Sequence, residues 1–446
     1  MTASSLAVQD EDLALVTDLY QLTMLQAYFK EDMDERGVFS LYFRRLPDSR
    51  NFMLACGQQY AAGLATRVRF SQAGLDRLAA TGRFDHDFLA WLKDYRFSGD
   101  IWTLPEGTPV FPNEPLMEVE APIAEAQLLE SLIMNQVQVE TTLASKAVRL
   151  VIAARGRQVV DFGLRRMHGV DAAMRGVRAY RAAGLDGTSN VLGGLRHDLT
   201  LSGTMAHSYV LAHNDEMEAF RQFAKLYPGT TLLVDTYDTL AGVDKVIELM
   251  EGPDAIQVGA VRLDSGDLGE LARGSRERLD AACFEQVKIV ASSSLDEYKI
   301  AELLANDAPI DVFGVGTALG VSTDAPVTDL SYKLVEYAGK PCVKNSPGKV
   351  NLPYRKQVYR FRDIQGRYQR DLVSRREESV GEGEALLAPM VKAGEILEDS
   401  LADLETIRQR VSQSIEDLPP DLRRLEAAAT PYPVSLSDEL KRWQQD

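Results

Sequence analysis

The stretch TLLVDTYDTLAGVDKVIELMEG, residues 231–252, contains in one place the pattern that decides the fold. An apolar run, TLLV, is followed by a polar cluster, DTYDT (235–239), and then by GVDKVIELMEG (242–252), whose apolar residues recur at helical spacing. A short apolar run bounded by polar residues is typical of a buried strand, and apolar residues three and four apart are typical of a helix. The stretch therefore predicts a strand, a polar loop and a helix.

The same order is repeated between about residue 159 and residue 317. Further polar clusters end successive apolar runs: DFGLRR (161–166), GTSN (187–190), SGTMAHS (202–208), RLDSGD (262–267), SSSLD (292–296) and GVGT (314–317). Alternating strands and helices predict an α/β protein with an irregular, TIM-like βα barrel. Because such barrels carry their sites at the carboxyl ends of the strands, we expect the clusters to meet in one site.

The rest of the 446-residue chain predicts two further parts around a barrel at residues 131–340. Residues 1–130 predict an N-terminal α+β domain, which we expect residues 341–375 to complete through the hairpin-like KQVYRFRDIQGRYQRDLV (356–373). Residues 376–446 predict a helical C-terminal segment.

Composition and charge exclude several classes of protein. The 49 Lys and Arg against 66 Asp and Glu give a net charge of −17, which argues against nucleic acid or an anionic membrane as partner. No apolar run reaches membrane-spanning length, and the N-terminus lacks the apolar core of a signal peptide. Three separate cysteines without a CxxC pair predict a reducing, cytoplasmic location and no cysteine zinc site.

The cluster RLDSGD offers an anion-binding cation and two carboxylates. Arg262 can hold an anionic group by two hydrogen bonds, and Asp264 can accept from sugar hydroxyls. Asp267 could bind Mg²⁺ directly or through water. The structural alternative is an Arg–Asp ion pair followed by a helix cap.

Two other clusters suggest a binding site for a ligand with a flat ring and a phosphate group. In DFGLRR, a heteroaromatic can stack on Phe162 while Arg165 and Arg166 hold phosphate, although a core Phe with two surface arginines is the commoner outcome. In GVGT, Gly314 and Gly316 would let backbone N–H groups approach a phosphate, but the lysine and spacing of a Walker loop are absent.

Two single residues complete the set of candidate site residues that side-chain chemistry alone suggests. His207, beside Thr204 and Ser208 in SGTMAHS, could act as a general acid or base or as a phosphoryl acceptor, although a lone histidine is more often structural. Tyr20 lies among the apolar positions of a predicted helix, so core packing is its default explanation.

Taken in order, a set of strings resembles the nicotinate phosphoribosyltransferase family. They are TDLYQLTMLQAYF (17–29), FRRLP (43–47), DFGLRRMHG (161–169), GLDGTSNVLGG (184–194), SGTMAHS (202–208), VRLDSGDL (261–268), FGVGT (313–317) and SYKLVEYAGKPCVKNSPGK (331–349). The resemblance implies a type II phosphoribosyltransferase fold and a homodimer whose subunits share active sites.

The resemblance also implies a reaction. Members of the family join nicotinate to 5-phosphoribosyl 1-pyrophosphate, giving nicotinate mononucleotide and pyrophosphate in NAD salvage. Many members couple this transfer to ATP hydrolysis through a phosphorylated histidine, which gives them a ligase-type classification. The expected partners are therefore nicotinate, phosphoribosyl pyrophosphate and ATP, with Mg²⁺ as cofactor.

The family's roles pass to matching residues of this sequence. Phe162 would stack on the nicotinate ring, and Tyr20 of the other subunit would cover the opposite face. Arg262 would hold the nicotinate carboxylate, Arg165 the phosphate or pyrophosphate, and Asp264 the ribose hydroxyls.

The remaining expected roles concern the substrate pocket, the phosphates and the metal. Ser189 and Thr204 would line the substrate pocket, and His207 would be the phosphorylated histidine. Contacts to phosphate are expected from Gly314, Gly316, Thr317 and Lys333, and a role beside Mg²⁺ from Asp235 and Asp267, with Asp235 alternatively a partner of His207.

Several alternatives remain open at this point. Nicotinamide phosphoribosyltransferases, as we align them, carry an Asp where this chain has Ser189, and an Asp would repel a carboxylate substrate. Quinolinate phosphoribosyltransferases need extra basic residues for a second carboxylate. A catalytically silent nucleotide-binding barrel is a third possibility, against which the combination of His207, Arg262 and Asp264 counts.

Overall fold

The structure, a computed structural model, describes residues 8–251, 255–344 and 351–444. Gly252, at the end of a predicted helix, and residues 345–349 of the SYKL string lie outside the described residues. The chain divides into two compact units. The first unit contains Met1–Thr142 and Val327–Asp446, and the second unit contains Leu143–Pro326.

The N-terminal part of the first unit mixes short strands with helices. Its strands are β1 (Arg36–Phe43), β2 (Met53–Leu54), β3 (Asp100–Thr103), β4 (Pro109–Val110) and β5 (Met117–Pro122). Its helices are α1 (Leu19–Lys30), α2 (Gln58–Ala65), α3 (Gln72–Ala80), α4 (His86–Leu92), α5 (Ile123–Leu128) and α6 (Glu130–Ala154), which continues into the second unit. Strand β1 is buried at every position after its first residue, as expected of a strand covered on both faces.

The second unit alternates strands with helices, as its sequence predicts. The strands are β6 (Gln158–Asp161), β7 (Gly187–Thr188), β8 (Thr200–Leu201), β9 (Thr230–Leu233), β10 (Val258–Leu263), β11 (Lys288–Ala291) and β12 (Val312–Val315). The helices are α7 (Val170–Ala183), α8 (Val191–His197), α9 (His207–Leu211), α10 (Glu216–Leu226), α11 (Thr239–Glu251), α12 (Leu268–Ala281), α13 (Glu297–Ala305) and α14 (Thr317–Gly320).

The C-terminal part of the chain returns to the first unit. Its strands are β13 (Leu330–Tyr337), β14 (Lys340–Pro341), β15 (Lys356–Arg362), β16 (Tyr368–Arg375), β17 (Glu384–Ala385), β18 (Ala388–Lys392), β19 (Glu395–Ile396) and β20 (Val434–Leu436). Its helices are α15 (Leu404–Asp417) and α16 (Asp438–Lys441).

The sheet of the second unit places the strand ends that carry the polar clusters. Its seven strands lie in the order β8-β7-β6-β12-β11-β10-β9, and every neighbouring pair is parallel. The parallel α/β architecture predicted from the alternation is confirmed. Because all seven strands run the same way, their carboxyl ends lie along one edge of the sheet.

Polar residues in three of the clusters also begin the next helix. The side chains of Asn190, Asp267 and Asp296 accept the backbone N–H three residues on, at 3.0, 3.0 and 2.8 Å, and so cap α8, α12 and α13. In each of these three clusters, the cap therefore fixes the residue at which the loop ends and the helix begins.

The first unit is built around an antiparallel sheet in the order β14-β13-β1-β5-β3-β18-β19. Strand β13 pairs with β1 from Gly37 opposite Tyr337 to Phe43 opposite Leu330. Because of this pairing, the first unit resumes at Val327, whereas the sequence placed the end of the barrel at residue 340. Fully buried Leu25, Leu41 and Val119 belong to its apolar core.

The segment 376–446, expected to be helical, contains α15 and α16 together with short strands. Strand β18 pairs antiparallel with β3, and β20 pairs parallel with β16, so this segment also extends the sheets of the first unit. Among the helices that the structure describes, none has the length and apolar character that crossing a bilayer requires.

Candidate active site

Two adjoining cavities lie at the carboxyl ends of the parallel strands. The His207 cavity, of about 300 Å³, is lined by Phe162, Leu164, Arg165, Ser189, Gly203, Thr204, Met205, Ala206, His207, Leu233, Arg262 and Asp264. The serine-loop cavity, of about 530 Å³, is lined by Phe162, Arg165, Arg166, Arg262, Asp264, Ser292, Ser293, Ser294, Leu295, Asp296, Gly314, Gly316, Thr317, Ala318 and Thr323. Six of the seven clusters contribute lining residues, which confirms their predicted convergence at the strand ends, whereas DTYDT (235–239) lines neither cavity.

Phe162 is a flat wall between the two cavities. It follows β6 directly, and its N–H donates to the carbonyl of Val315 at 2.8 Å, which fixes the start of the loop. Gly314 makes room for the ring, because a Cβ at Gly314 would lie only 2.4 Å from Cε2 of Phe162. The sequence assigned Gly314 to phosphate binding; in the structure it lines the serine-loop cavity and also accommodates the aromatic platform.

Arg262 lies beside that platform with its guanidinium carbon 5.4 Å from the ring centroid of Phe162. The guanidinium donates from Nε to Ser292 Oγ and from one terminal nitrogen to Thr204 Oγ1, both at 2.9 Å. Its other terminal nitrogen pairs with Asp264 Oδ1 at 2.9 Å. Three of its five N–H donors are thereby used, and each terminal nitrogen keeps one for a ligand.

His207 begins α9 and is oriented from both ring nitrogens. Nδ1 lies 3.1 Å from Thr236 Oγ1, whereas Nε2 lies 3.8 Å from Asp264 Oδ2 and 4.0 Å from Asp235 Oδ1. The side chain is 41% exposed and lines the His207 cavity. A neutral imidazole that donates from Nδ1 to Thr236 would leave Nε2 as the nucleophilic nitrogen.

Two buried carboxylates hold the loops around these groups. Asp235 Oδ2 accepts from the N–H of Asp264 at 3.0 Å and from Ser265 Oγ at 2.5 Å. Asp161 accepts from the N–H of Gly163 and from Thr188 Oγ1, both at 2.7 Å. Burial raises the pKa of Asp161, and these two hydrogen bonds oppose the shift.

The serine-loop cavity is lined mainly by hydroxyls, backbone and cations. Ser293 and Ser294 have φ values of +81° and +49°, a left-handed conformation that non-glycine residues rarely adopt. Two consecutive residues of this kind persist only where the surroundings hold them. The side chains of Arg165 and Arg166 have no hydrogen-bond or ion-pair partner within the described ranges, so both guanidinium groups remain available to an anion.

Four predicted residues are not part of the two cavity walls, and the first of them, Asp235, lies behind the wall as a hydrogen-bond partner of Asp264 and Ser265. Asp267, expected near Mg²⁺, is exposed and caps α12; the N–H of Glu270 lowers the pKa of its carboxyl. Tyr20, on α1, and Lys333, on β13, belong to the first unit. The default explanation of Tyr20 as a core residue is wrong, because its side chain is 47% exposed.

Sequence reasoning missed the residues that act through other residues. Thr236 orients His207, Ser292 bonds both Arg262 and Asp264, and Asp161 joins two loops. Thr236 and Ser292 belong to polar clusters that follow predicted strands, which was a usable signal. Asp161 had a weaker one, since it is the last residue of its strand.

Fold and site together define a class of protein: an α/β protein whose parallel sheet holds an aromatic platform, a partly buried arginine and a polar cavity side by side. Profiles of the nicotinate phosphoribosyltransferase family match three parts of the chain. The profile of the N-terminal domain matches residues 15–138, and the profile of the family itself matches residues 157–349. The profile of the C-terminal domain matches residues 381–444.

Individual relatives agree with the profiles. Nicotinate phosphoribosyltransferase pncB2 of Mycobacterium tuberculosis is 48% identical, covering 98% of this chain and 94% of the relative. Nicotinate phosphoribosyltransferase of Bacillus subtilis is 40% identical, covering 79% and 74%. The crystal structure of human nicotinic acid phosphoribosyltransferase matches with a TM-score of 0.86 at 27% identity, covering 96% of this chain and 98% of the human one. The chain belongs to the nicotinate phosphoribosyltransferase family.

Proposed function

We propose that the chain transfers the 5-phosphoribosyl group from phosphoribosyl pyrophosphate to nicotinate, giving nicotinate mononucleotide and pyrophosphate in NAD salvage. The observation that carries this proposal is the pairing of Arg262 with Phe162 at the boundary between the His207 cavity and the serine-loop cavity. A flat ring bearing a carboxylate fits the first cavity, and the phosphates of the donor fit the second.

Nicotinate would lie with its ring on Phe162 and its carboxylate toward Arg262. The guanidinium keeps one free N–H on each terminal nitrogen after its contacts to Thr204 and Asp264. Leu164, Met205 and other apolar side chains line the same cavity, which suits an uncharged aromatic ring. Burial among them strengthens the attraction between the carboxylate and Arg262.

The transfer needs positioning more than proton chemistry. The nitrogen of nicotinate is unprotonated at neutral pH, so its lone pair can form the bond to C1 of the ribose directly. The bond from C1 to the pyrophosphate oxygen breaks, and its electrons leave with the pyrophosphate. Asp264 would accept from ribose hydroxyls, and the unpaired Arg165 and Arg166 would neutralise the departing charge.

Asp235 and Asp264 are the residues that would hold Mg²⁺. Asp235 Oδ1 is buried without a hydrogen-bond partner in the described structure, a state that a cation would satisfy. Within the described ranges there is no group of three or more His, Cys, Asp or Glu side chains placed to bind a metal, so substrate oxygens would complete the coordination. When bound, Mg²⁺ would neutralise charge on pyrophosphate.

ATP coupling through His207 is the finer part of the proposal. With Nδ1 directed at Thr236, Nε2 can attack the γ-phosphorus of ATP. The P–N bond forms, the P–O bond to ADP breaks, and water later releases phosphate from the histidine. The phosphoryl group would add negative charge beside Arg262 and Asp264, which would change the affinity for pyrophosphate.

A homodimer with shared sites is supported by the exposure of Tyr20. An aromatic side chain that is 47% exposed on α1 is available to a second copy of the chain. Mixing Tyr20→Ala with Arg262→Ala subunits should then restore activity, because one hybrid site has both residues intact. Heterodimers that form but stay inactive would show that each subunit completes its own site. A cytoplasmic location stays a prediction.

One assay tests the proposed reaction against its alternatives. Nicotinate, nicotinamide and quinolinate are compared with phosphoribosyl pyrophosphate and Mg²⁺, with and without ATP. Nicotinate should have the highest kcat/KM, and Ser189→Asp should depress its use because two carboxylates would then face each other. Nicotinamide turnover with equal or higher kcat/KM contradicts the substrate assignment, and no turnover with any base supports a silent nucleotide-binding protein.

A further inference from the structure

Lys146 of α6 is fully buried in the second unit and joins two loops that line the serine-loop cavity. Its ammonium pairs with Glu297 and lies 2.9 Å from Asp324 Oδ1. The side chains of Lys146, Glu297 and Asp324 are 1%, 0% and 10% exposed. A buried lysine is expensive to desolvate, and its close pairing with two carboxylates offsets that cost only while the three groups keep this geometry.

Both carboxylates lie next to residues of the cavity wall. Glu297 is the first residue of α13, directly after Leu295 and Asp296, which line the cavity. Asp324 follows Thr323, which lines it from another loop. The N–H of Thr323 donates to the carbonyl of Ala318 at 3.2 Å, so this second loop is bonded back to α14.

The loop from Ser292 to Asp296 needs an anchor at each end, because Ser293 and Ser294 have positive φ. At its start, Ser292 is bonded to Arg262 and Asp264. At its end, Glu297 uses one carboxylate oxygen for Lys146 and the other for Arg149, whose Nε lies 2.9 Å away.

We propose that Lys146 is a positioning residue that holds the two loops of the serine-loop cavity at the separation that the phosphates of phosphoribosyl pyrophosphate require. Two cations, Lys146 and Arg149, face two carboxylates, Glu297 and Asp324, so the cluster adds little net charge to the cavity. Its effect on the phosphates is therefore geometric. The inference rests on the proposed function for the identity of the anion.

The test compares Lys146→Met with Arg149→Met in the full-length enzyme. Arg149→Met also removes a cation from Glu297, but it leaves the link between Lys146 and Asp324. Lys146→Met should raise the KM for phosphoribosyl pyrophosphate by about tenfold or more, whereas Arg149→Met should raise it about threefold or less. The KM for nicotinate and the kcat at saturating phosphoribosyl pyrophosphate should change less than about twofold in both variants.

Asp324→Asn keeps the inference testable if Lys146→Met fails to fold. It weakens the second arm of the bridge and keeps the first, and it should raise the same KM while melting near the wild-type temperature. Lys146→Arg, which keeps the charge, should recover part of the lost affinity. Equal KM changes in Lys146→Met and Arg149→Met, a parallel rise in the KM for nicotinate, or wild-type kinetics in Asp324→Asn would overturn the positioning role.

Binding of inorganic pyrophosphate, measured by calorimetry, separates this inference from the proposed function. If the wild-type enzyme binds pyrophosphate but does not turn over nicotinate, the proposed function is contradicted. The role of Lys146 is then decided by comparing the pyrophosphate affinities of the two variants. Weaker pyrophosphate binding to Lys146→Met than to Arg149→Met supports the positioning role. Equal binding to both contradicts it.

Discussion

The two cavities share Phe162, Arg165, Arg262 and Asp264, but they are built from different parts of the chain. The His207 cavity depends on side chains, above all a ring and an arginine with three polar partners. The serine-loop cavity depends on backbone, hydroxyls and glycine in loops that other residues anchor. The difference suggests that single side chains control recognition of the ring, whereas loop anchors control recognition of the phosphates.

Arg262→Ala is expected to have the largest effect on the His207 cavity. It removes the expected partner of the carboxylate and leaves Asp264, Ser292 and Thr204 without their guanidinium contact. We expect kcat/KM for nicotinate to fall about 10³-fold, as for loss of a buried charged partner of roughly 4 kcal/mol. Arg165→Ala is the comparison, since Arg165 is proposed to neutralise the phosphates and should affect the KM for nicotinate less than Arg262→Ala does. An equal rise in the KM for nicotinate in both variants would show that Arg262 is not the partner of the carboxylate.

His207→Ala separates ATP coupling from transfer. The variant should lose both ATP stimulation and acid-labile ³²P labelling from γ-labelled ATP, while slow ATP-independent transfer persists. The difference from the ATP-stimulated rate should be about 10²-fold, typical of losing one catalytic group. Label that appears on the variant would rule out the phosphohistidine. Loss of all transfer in a folded variant would instead assign His207 to the ribosyl step.

Gly314→Ala should affect the His207 cavity by displacing the ring of Phe162. The new Cβ would lie 2.4 Å from Cε2 of the ring, so the ring must move. We expect the KM for nicotinate to rise about tenfold, because overpacking of this kind costs about 1–3 kcal/mol. Gly316→Ala is the control, since its Cβ would make an ordinary contact of 3.4 Å to the Phe162 carbonyl oxygen. Wild-type nicotinate kinetics in Gly314→Ala would show that the platform is not needed.

Thr317→Val should give the smallest effect. It preserves the shape of the side chain and removes one hydroxyl from the serine-loop cavity. Loss of one hydrogen bond of about 1 kcal/mol should raise the KM for phosphoribosyl pyrophosphate about fivefold and leave the KM for nicotinate unchanged. A larger effect than that of Gly314→Ala would reverse the proposed division between side-chain and backbone recognition.

The fold of the second unit was predictable because its signals are local. Each strand, polar cluster and helix lies within a short stretch of sequence, as in residues 231–252. The pairing of β1 with β13 carried no such signal, because almost 300 residues separate Phe43 from Leu330. Pairing over such a distance depends on tertiary packing, which residue patterns do not encode locally.

The site was predictable to the extent that chemistry and position agree. Phe162, Asp264 and His207 follow strands, Arg262 lies one residue before the end of β10, and the structure brings these four chemically suggestive side chains together. Asp267 has the same chemistry, but its carboxylate caps a helix, which was the structural alternative for its cluster. The left-handed serines could not be predicted, because local preference favours glycine in that conformation.

The four shared residues make the two cavities thermodynamically linked. A ligand that reorients Arg262 or Asp264 in one cavity changes the free energy of binding in the other, since both side chains belong to both walls. By linkage, whatever factor nicotinate applies to the affinity for phosphoribosyl pyrophosphate, phosphoribosyl pyrophosphate must apply to the affinity for nicotinate. Any synergy between the two substrates would thus arise at the dividing wall.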